Sequence, residues 1–257
     1  LNVPFSYIEN CRIEDAVFTE GLNRFMSVAC MVKNFKKLRV TQVGTRLNPF
    51  KSVMYNELEI TEKFGINLQT VNMTVMTEKL ERLYRENRRV VAIGEIGLDY
   101  YWEQNPPREL QQRVLRDQLA LAQELDLPVI VHDREAHADS LAIVQEFPAV
   151  RGVFHCFSGS VEMARELLKR GWYLGFDGPV TYKNARKTVE VALECPLDRM
   201  LLETDSPYMA PVPVRGTRND SRNVRYIAEK LAALRGLDTD ELIRLTAENG
   251  KRLFGIG

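Results

Sequence analysis

The stretch VVAIGEIGLDYYW, Val90 to Trp102, is the most informative in the chain. Val90 to Ile93 and Ile96 are apolar and mostly β-branched, and a carboxylate, Glu95, stands where the run gives out. An apolar run of this kind, stopped by Gly94 and Gly97, reads as a strand buried on both faces of a parallel sheet. Glu95 then falls at the strand's C-terminal end, where α/β sheets and barrels carry their chemistry. Later runs repeat the design: LPVIVH ends in His132, GVFHCF carries His155, and MLLETD ends in Asp205. Two histidines and two acids at the tips of separate strands make a ligand set for a hard or borderline metal ion.

Between these strands the sequence switches to helical periodicity. Pro106 and Pro107 open RELQQRVLRDQLALAQEL, as proline suits a first helical turn. EAHADSLAIVQEF, SVEMARELLKR (capped by Ser158 or Ser160) and NARKTVEVALE follow in turn, with YLGFDG as a further strand. After MLLETD a proline-rich loop, SPYMAPVPVRGTRND, leads to SRNVRYIAEKLAALRG and DTDELIRLTAENGKRLFG. Strand ends at 95, 132, 155, 178 and 205 are separated by 37, 23, 23 and 27 positions, each one βα repeat. The residues upstream leave room for about three more strands at ~30 residues each. The expected fold is therefore α/β, a single-domain (β/α)8 TIM barrel over residues 1–257. A doubly wound open sheet is the alternative, but it has no need of ligands converging from several strands.

Residues 1–73 are an atypical opening. VPFSYI, RVTQVGT and INLQTVN read as strands, with IEDAVFTEGLNRFMSVACMV and FKSVMYNELEITEKF as helices between them. TEKLERLYREN then reads as an amphipathic helix with Leu80, Leu83 and Tyr84 on one side. All three histidines, His132, His137 and His155, lie beyond this opening.

Hydrophobic content of 45% and charged content of 27% in 257 residues describe a globular chain able to bury a large core. Net charge is +0, so no global field gathers nucleic acid and any such binding must be local. Cys11, Cys30, Cys156 and Cys195 form no CxxC pair and read as reduced thiols, which points to a cytoplasmic protein. The opening residues LNVPFSYIENCRIED carry neither a basic region nor an apolar core, so no signal peptide is expected. No apolar stretch approaches the ~18 residues of a membrane span.

In a barrel, successive strand tips face one mouth, so Glu95, His132, His155 and Asp205 are expected to converge there. A lone histidine at a strand end is usually a satisfied core residue, but ligand-type residues in four equivalent positions outweigh that reading. A strand-end carboxylate beside a metal can also take a proton from water, a role open to Asp205. His137 falls on the helix after Arg134, at the surface or behind a ligand. Strand alternation turns Cys156 away from His155 and into packing. Asp99 and Asp177 fall in loops at the same mouth, either behind the ligands or solvated. Arg134, Lys183, Arg215 and Arg218 follow strand ends, with Tyr182 and Tyr208 nearby. Guanidinium forks at a site mouth suit a phosphate, and Arg134, Arg215 and Arg218 are the candidates to bind it.

GEIGLDYYW, PVIVHDREAHAD, GVFHCFSGS, GPVTYKNAR, LLETDSPYMAPVPVRGTRN and TAENGKRLF together resemble the TatD-type deoxyribonucleases in order and spacing, over about residues 74–255. That family belongs to the amidohydrolase superfamily of (β/α)8 barrels. The resemblance implies hydrolysis of phosphodiester bonds in DNA, from ends or single strands, with up to two divalent ions (Mg, Mn or Zn) and a metal-bound water as nucleophile. It implies that Glu95 is shared between the ions, that His132 and His155 complete one of them, and that Asp205 serves the other and acts as general base. Family members also carry an opening His-x-His pair and a later Gly-x-His-Pro element, and this chain has neither. One ion thus keeps Glu95, His132 and His155, and the other keeps Glu95 and Asp205. That loss makes a catalytically impaired barrel that binds nucleic acid or a protein partner the alternative, and an amidohydrolase acting on small esters or amides is a further rival.

Overall fold

The computed structural model describes residues 90–256, the strands of residues 39–43 and 67–71, and Thr19. The chain divides into two compact units, Leu1–Met76 and Thr77–Gly257. In the first, β1 (Arg39–Val43) and β2 (Asn67–Val71) pair in parallel with Arg39 opposite Asn67 and Val43 opposite Val71. These are the strands read from RVTQVGT and INLQTVN. VPFSYI, the two upstream helices and TEKLERLYREN lie outside the described residues.

The second unit is built on β3 (Ile93–Asp99), β4 (Val129–Arg134), β5 (Gly152–Phe154), β6 (Tyr173–Phe176) and β7 (Met200–Leu202). All neighbours are parallel, and the order is β3-β4-β5-β6-β7. A doubly wound sheet reverses its order at a switch point; this one never does, which is the winding of a barrel wall. Helices α1 (Arg108–Glu124), α2 (His137–Gln145), α3 (Val161–Lys169), α4 (Arg186–Glu194), α5 (Val224–Arg235) and α6 (Thr239–Phe254) supply the crossovers and the C-terminal cover.

Each helix forms where its local sequence directs it. Ser160 caps α3, its hydroxyl accepting from the Met163 amide, and Asp238 caps α6 through the Asp240 and Glu241 amides. Leu115, Leu119 and Ala122, spaced by helical turns, bury one stripe of α1 against β3. Each such leucine removed from water contributes roughly 1.5–3 kcal/mol. Inside the core, Phe154 meets Trp172 edge-on with ring centroids 5.3 Å apart. The asparagine of TAENGKRLF serves the fold. Buried Asn249 donates from Nδ2 to the Leu197 and Met200 carbonyls at 2.7 and 2.9 Å, tying α6 to the start of β7.

Strand boundaries differ from the sequence reading at both β3 and β4: β4 runs on to Arg134, so His132 lies within the strand and Arg134 is not in a loop beyond it, and Asp99 closes β3 rather than lying in a loop. β3 begins at Ile93 rather than Val90 and runs on to Asp99, so Glu95 lies within the strand and not at its tip. Register slips between Ile93 and Ile96, a bulge that sets Glu95 apart from the regular ladder. Gly97 does not stop the strand. At φ 146 it lets β3 press so close to β4 that a Cβ there would overlap the His132 carbonyl oxygen. Among the described residues no helix is long and apolar enough to cross a membrane.

Candidate metal centre

Glu95 from the β3 bulge, His132 from β4 and His155, the first residue after β5, bring one ligand atom each to a common point. Glu95 Oε1 lies 2.8 Å from His132 Nδ1 and 2.6 Å from His155 Nε2, and the two ring nitrogens face each other at 3.2 Å. Donors bound to one ion at ~2.1 Å stand roughly 3.0–3.4 Å apart around a tetrahedron or octahedron. Two imidazole nitrogens aimed at each other and at a single carboxylate oxygen leave protons badly placed, whereas a cation between them satisfies all three. The donor set fits a divalent metal ion.

The remaining ring nitrogens support the same reading. His132 Nε2 faces Asp99 Oδ2 at 3.4 Å, and His155 Nδ1 faces Glu203 Oε2 at 3.9 Å. Asp99 behind the His132 ring favours the tautomer that leaves its inner nitrogen free to ligate, while Glu203 acts on His155 only through its charge. Asp99 is itself fixed, its Oδ1 accepting from the Tyr101 amide at 3.0 Å. Glu203 accepts from the Cys156 amide, and Gly175 leaves it room, since a Cβ there would overlap its Oε1.

A second donor group adjoins the first: Cys156, Asp177 and Asp205, their ligand atoms within 4.8 Å of one another. Cys156 is not turned into packing as strand alternation suggested. It lies beyond the end of β5 at φ 46, where alternation no longer applies, and its thiol donates to Asp177 Oδ2 at 3.0 Å. Asp177 is 2% exposed and Asp99 9%, so neither is a solvated loop acid. Asp205, three residues past β7 at φ 50, feels the charges of His155, Glu95 and His132.

Electrostatics at this rim favour added positive charge. Burial pushes the Asp177 carboxyl up to about 6 and the Glu203 carboxyl up to about 7, and it raises Asp205 as well. Burial and Asp177 push the Cys156 thiol up. Burial also works against charge on Glu95 and His132. Even so, hydrogen bonds from His132 and His155 hold the Glu95 carboxyl below the usual carboxylate range, and Asp99 and Glu95 push His132 up to about 9. A cation would replace those imidazolium protons.

Of the phosphate candidates, Arg134 is the last residue of β4 and its guanidinium lies 4.0 Å over the Tyr101 ring. Arg215 lies 4.1 Å over Tyr182, and Arg218 stands exposed on the same loop. His137 opens α2 and pairs with Asp133 through Nδ1 at 2.8 Å, away from the donor cluster. Glu203 escaped sequence reading, although period-two spacing with Asp205 in ETD was the available signal. Asn219 escaped it too: 2% exposed, it donates to the Thr204 and Tyr208 carbonyls on either side of Asp205.

Comparison with known proteins shows the family and the fold. The family model described as TatD related DNase matches residues 18–255. The metal-dependent hydrolase YabD of Bacillus subtilis is 49% identical over 172 residues, 66% of this chain and 67% of that one. YcfH of Escherichia coli, also named a metal-dependent hydrolase, is 44% identical over 195 residues, 75% of this chain and 72% of that one. The crystal structure of the TatD homologue YjjV of Escherichia coli superposes with a TM-score of 0.69 at 28% identity, covering 95% of this chain and 96% of that one. The fold class is thus the (β/α)8 barrel, as the sequence implied. With its ligand cluster and a family model spanning nearly its whole length, the chain belongs to the TatD-related DNase family of metal-dependent hydrolases.

Proposed function

We propose that the chain hydrolyses phosphodiester bonds in DNA, at ends or in single strands, with up to two divalent ions of Mg, Mn or Zn. The observation that carries this reading is the convergence of Glu95, His132 and His155 beside Asp205, at a rim that also presents Arg134. Glu95, His132 and His155 would hold the first ion, and Asp205 would offer its carboxylate to a second. Imidazole nitrogens favour Zn over Mg for the first. A bound divalent ion supplies Lewis-acid activation of water and of a phosphoryl oxygen. Asp99 keeps the His132 imidazole in the ligating tautomer, and the Glu203 charge lies behind His155. Asp205 takes the proton of the attacking water, a role suited to a carboxyl whose proton affinity burial has raised. Arg134, Arg215 and Arg218 orient the phosphate and offset its charge.

The test uses the metal-stripped chain, reloaded with Mg²⁺, Mn²⁺ or Zn²⁺ and given end-labelled oligonucleotides. Cleavage should return with metal and vanish in Asp205→Asn. Hydrolysis of small carboxyl esters with no attack on phosphodiesters would refute the nuclease reading and leave a metal-dependent hydrolase of another substrate class.

A further inference from the structure

Two guanidinium groups near the metal ligands are held by aromatic rings rather than by acids. Arg134, two residues beyond His132 and roughly 6.6 Å further along β4, lies 4.0 Å over the Tyr101 ring and 5.5 Å over that of Trp102. Those two rings brace each other edge-on at 4.8 Å. Arg215 lies 4.1 Å over Tyr182, whose hydroxyl donates to the Ala210 carbonyl at 3.1 Å. Among the described residues neither guanidinium has a carboxylate within ion-pair distance. The N–H edges of both guanidinium groups are therefore not taken up by a carboxylate. Tyr101 is 47% exposed and Arg215 is exposed, so the stacks are open to solvent.

We propose that these two stacks, Arg134 on Tyr101 and Arg215 on Tyr182, are subsites that receive the unpaired nucleobases on either side of the scissile phosphate of a DNA strand. Stacked guanidinium planes and exposed aromatic rings are both surfaces on which bases lie flat. Locking the guanidinium over a ring removes the rotamer entropy that a free arginine would lose on binding. Net charge supplies the complementary reason. At +0 the chain lacks a global field to hold the DNA backbone, so base contacts must carry a larger share of affinity. Arg134 lies close enough to Asp205 and Asp99 to stabilise their charge, and Tyr182 is within electrostatic reach of Asp177, so both stacks lie near the carboxylate rim.

This inference rests on the nuclease reading but is tested separately from it. In an Asp205→Asn background with Mn²⁺, fluorescence anisotropy compares labelled pentathymidylate with an abasic pentamer of equal charge. The base-bearing strand should bind at least about fivefold more tightly. Tyr101→Ala and Tyr182→Ala should each weaken it by about 5- to 100-fold and weaken the abasic strand by far less, and Tyr→Phe at either position should restore binding. Thermal melting establishes that each variant is folded. Equal binding of the two strands, or alanine variants that weaken both alike, overturns the inference. Cleavage of methyl p-nitrophenyl phosphate by the wild-type chain is followed in parallel. If it is cleaved while anisotropy shows no base dependence, the stacks fail and the hydrolase stands. If no phosphodiester is cleaved with any ion while base dependence holds, the stacks stand and the nuclease reading falls.

Discussion

Replacing Asn219 with alanine tests how the loop after β7 holds Asp205 in place. The Asn219 side chain donates to the Thr204 and Tyr208 carbonyls at 2.7 and 2.6 Å and accepts from the Asp220 amide and Asn223 Nδ2 at 3.0 and 2.9 Å. Asp205, between the two bridged carbonyls, adopts φ 50, a left-handed conformation that costs a non-glycine residue of order 1–3 kcal/mol and persists only under external constraint. Each hydrogen bond is worth about 1 kcal/mol net, and water can replace those on the exposed side, so Asn219→Ala should cost roughly 2–4 kcal/mol. At about 2–4 °C per kcal/mol for a domain of this size, the melting temperature falls by about 4–16 °C. With the constraint gone, Asp205 relaxes to negative φ and its carboxylate leaves the rim. Metal-dependent hydrolysis should then fall by about tenfold or more in protein that is still folded, given the geometric tolerance of catalytic groups. Circular dichroism melting and a rate measured well below the transition check both halves. A variant melting within about 1 °C of wild type, or one that melts early yet keeps full activity, would refute the reasoning.

Asp99→Asn, which keeps the shape but removes the charge facing His132 Nε2, should weaken metal binding by about 10- to 100-fold without unfolding the chain, as read by metal titration. Gly97→Ala places a methyl on the His132 carbonyl at a φ that alanine avoids, so it should destabilise by about 3 kcal/mol or more and appear as a large loss of melting temperature or of soluble protein. The His137 imidazole is raised above its ordinary value by its hydrogen bond to Asp133. A raised folded value stabilises fully below the unfolded pKa of about 6.5, and that gain is lost as pH rises through the folded value. With the His137 side chain 39% exposed, the contribution is below about 1 kcal/mol, and His137→Gln should flatten a denaturant-measured stability profile across that window.

Local pattern in the chain was enough to give the winding and the candidate ligand set. Apolar runs alternating with amphipathic helices at regular spacing allow only parallel βαβ units. Glu95, His132, His155 and Asp205 were legible because each follows or ends such a run, where period and chemistry coincide. RVTQVGT and INLQTVN were readable as strands for the same reason, despite thin punctuation. Which atoms meet was a matter of packing in three dimensions. A bulge moved Glu95 into the strand, and no one-dimensional pattern marks a bulge when its glycines also read as stops. Cys156 entered the rim because its left-handed φ broke the alternation that would have turned it away. Asp99 and Glu203 found their places behind the histidines, and Asn219 its grip around Asp205, through contacts spanning 33, 48 and 15 positions by subtraction of residue numbers. Periodicity is a local property and reports only which face a residue takes. Distances between side chains on different strands depend on register and packing, which exist only once the sheet has formed.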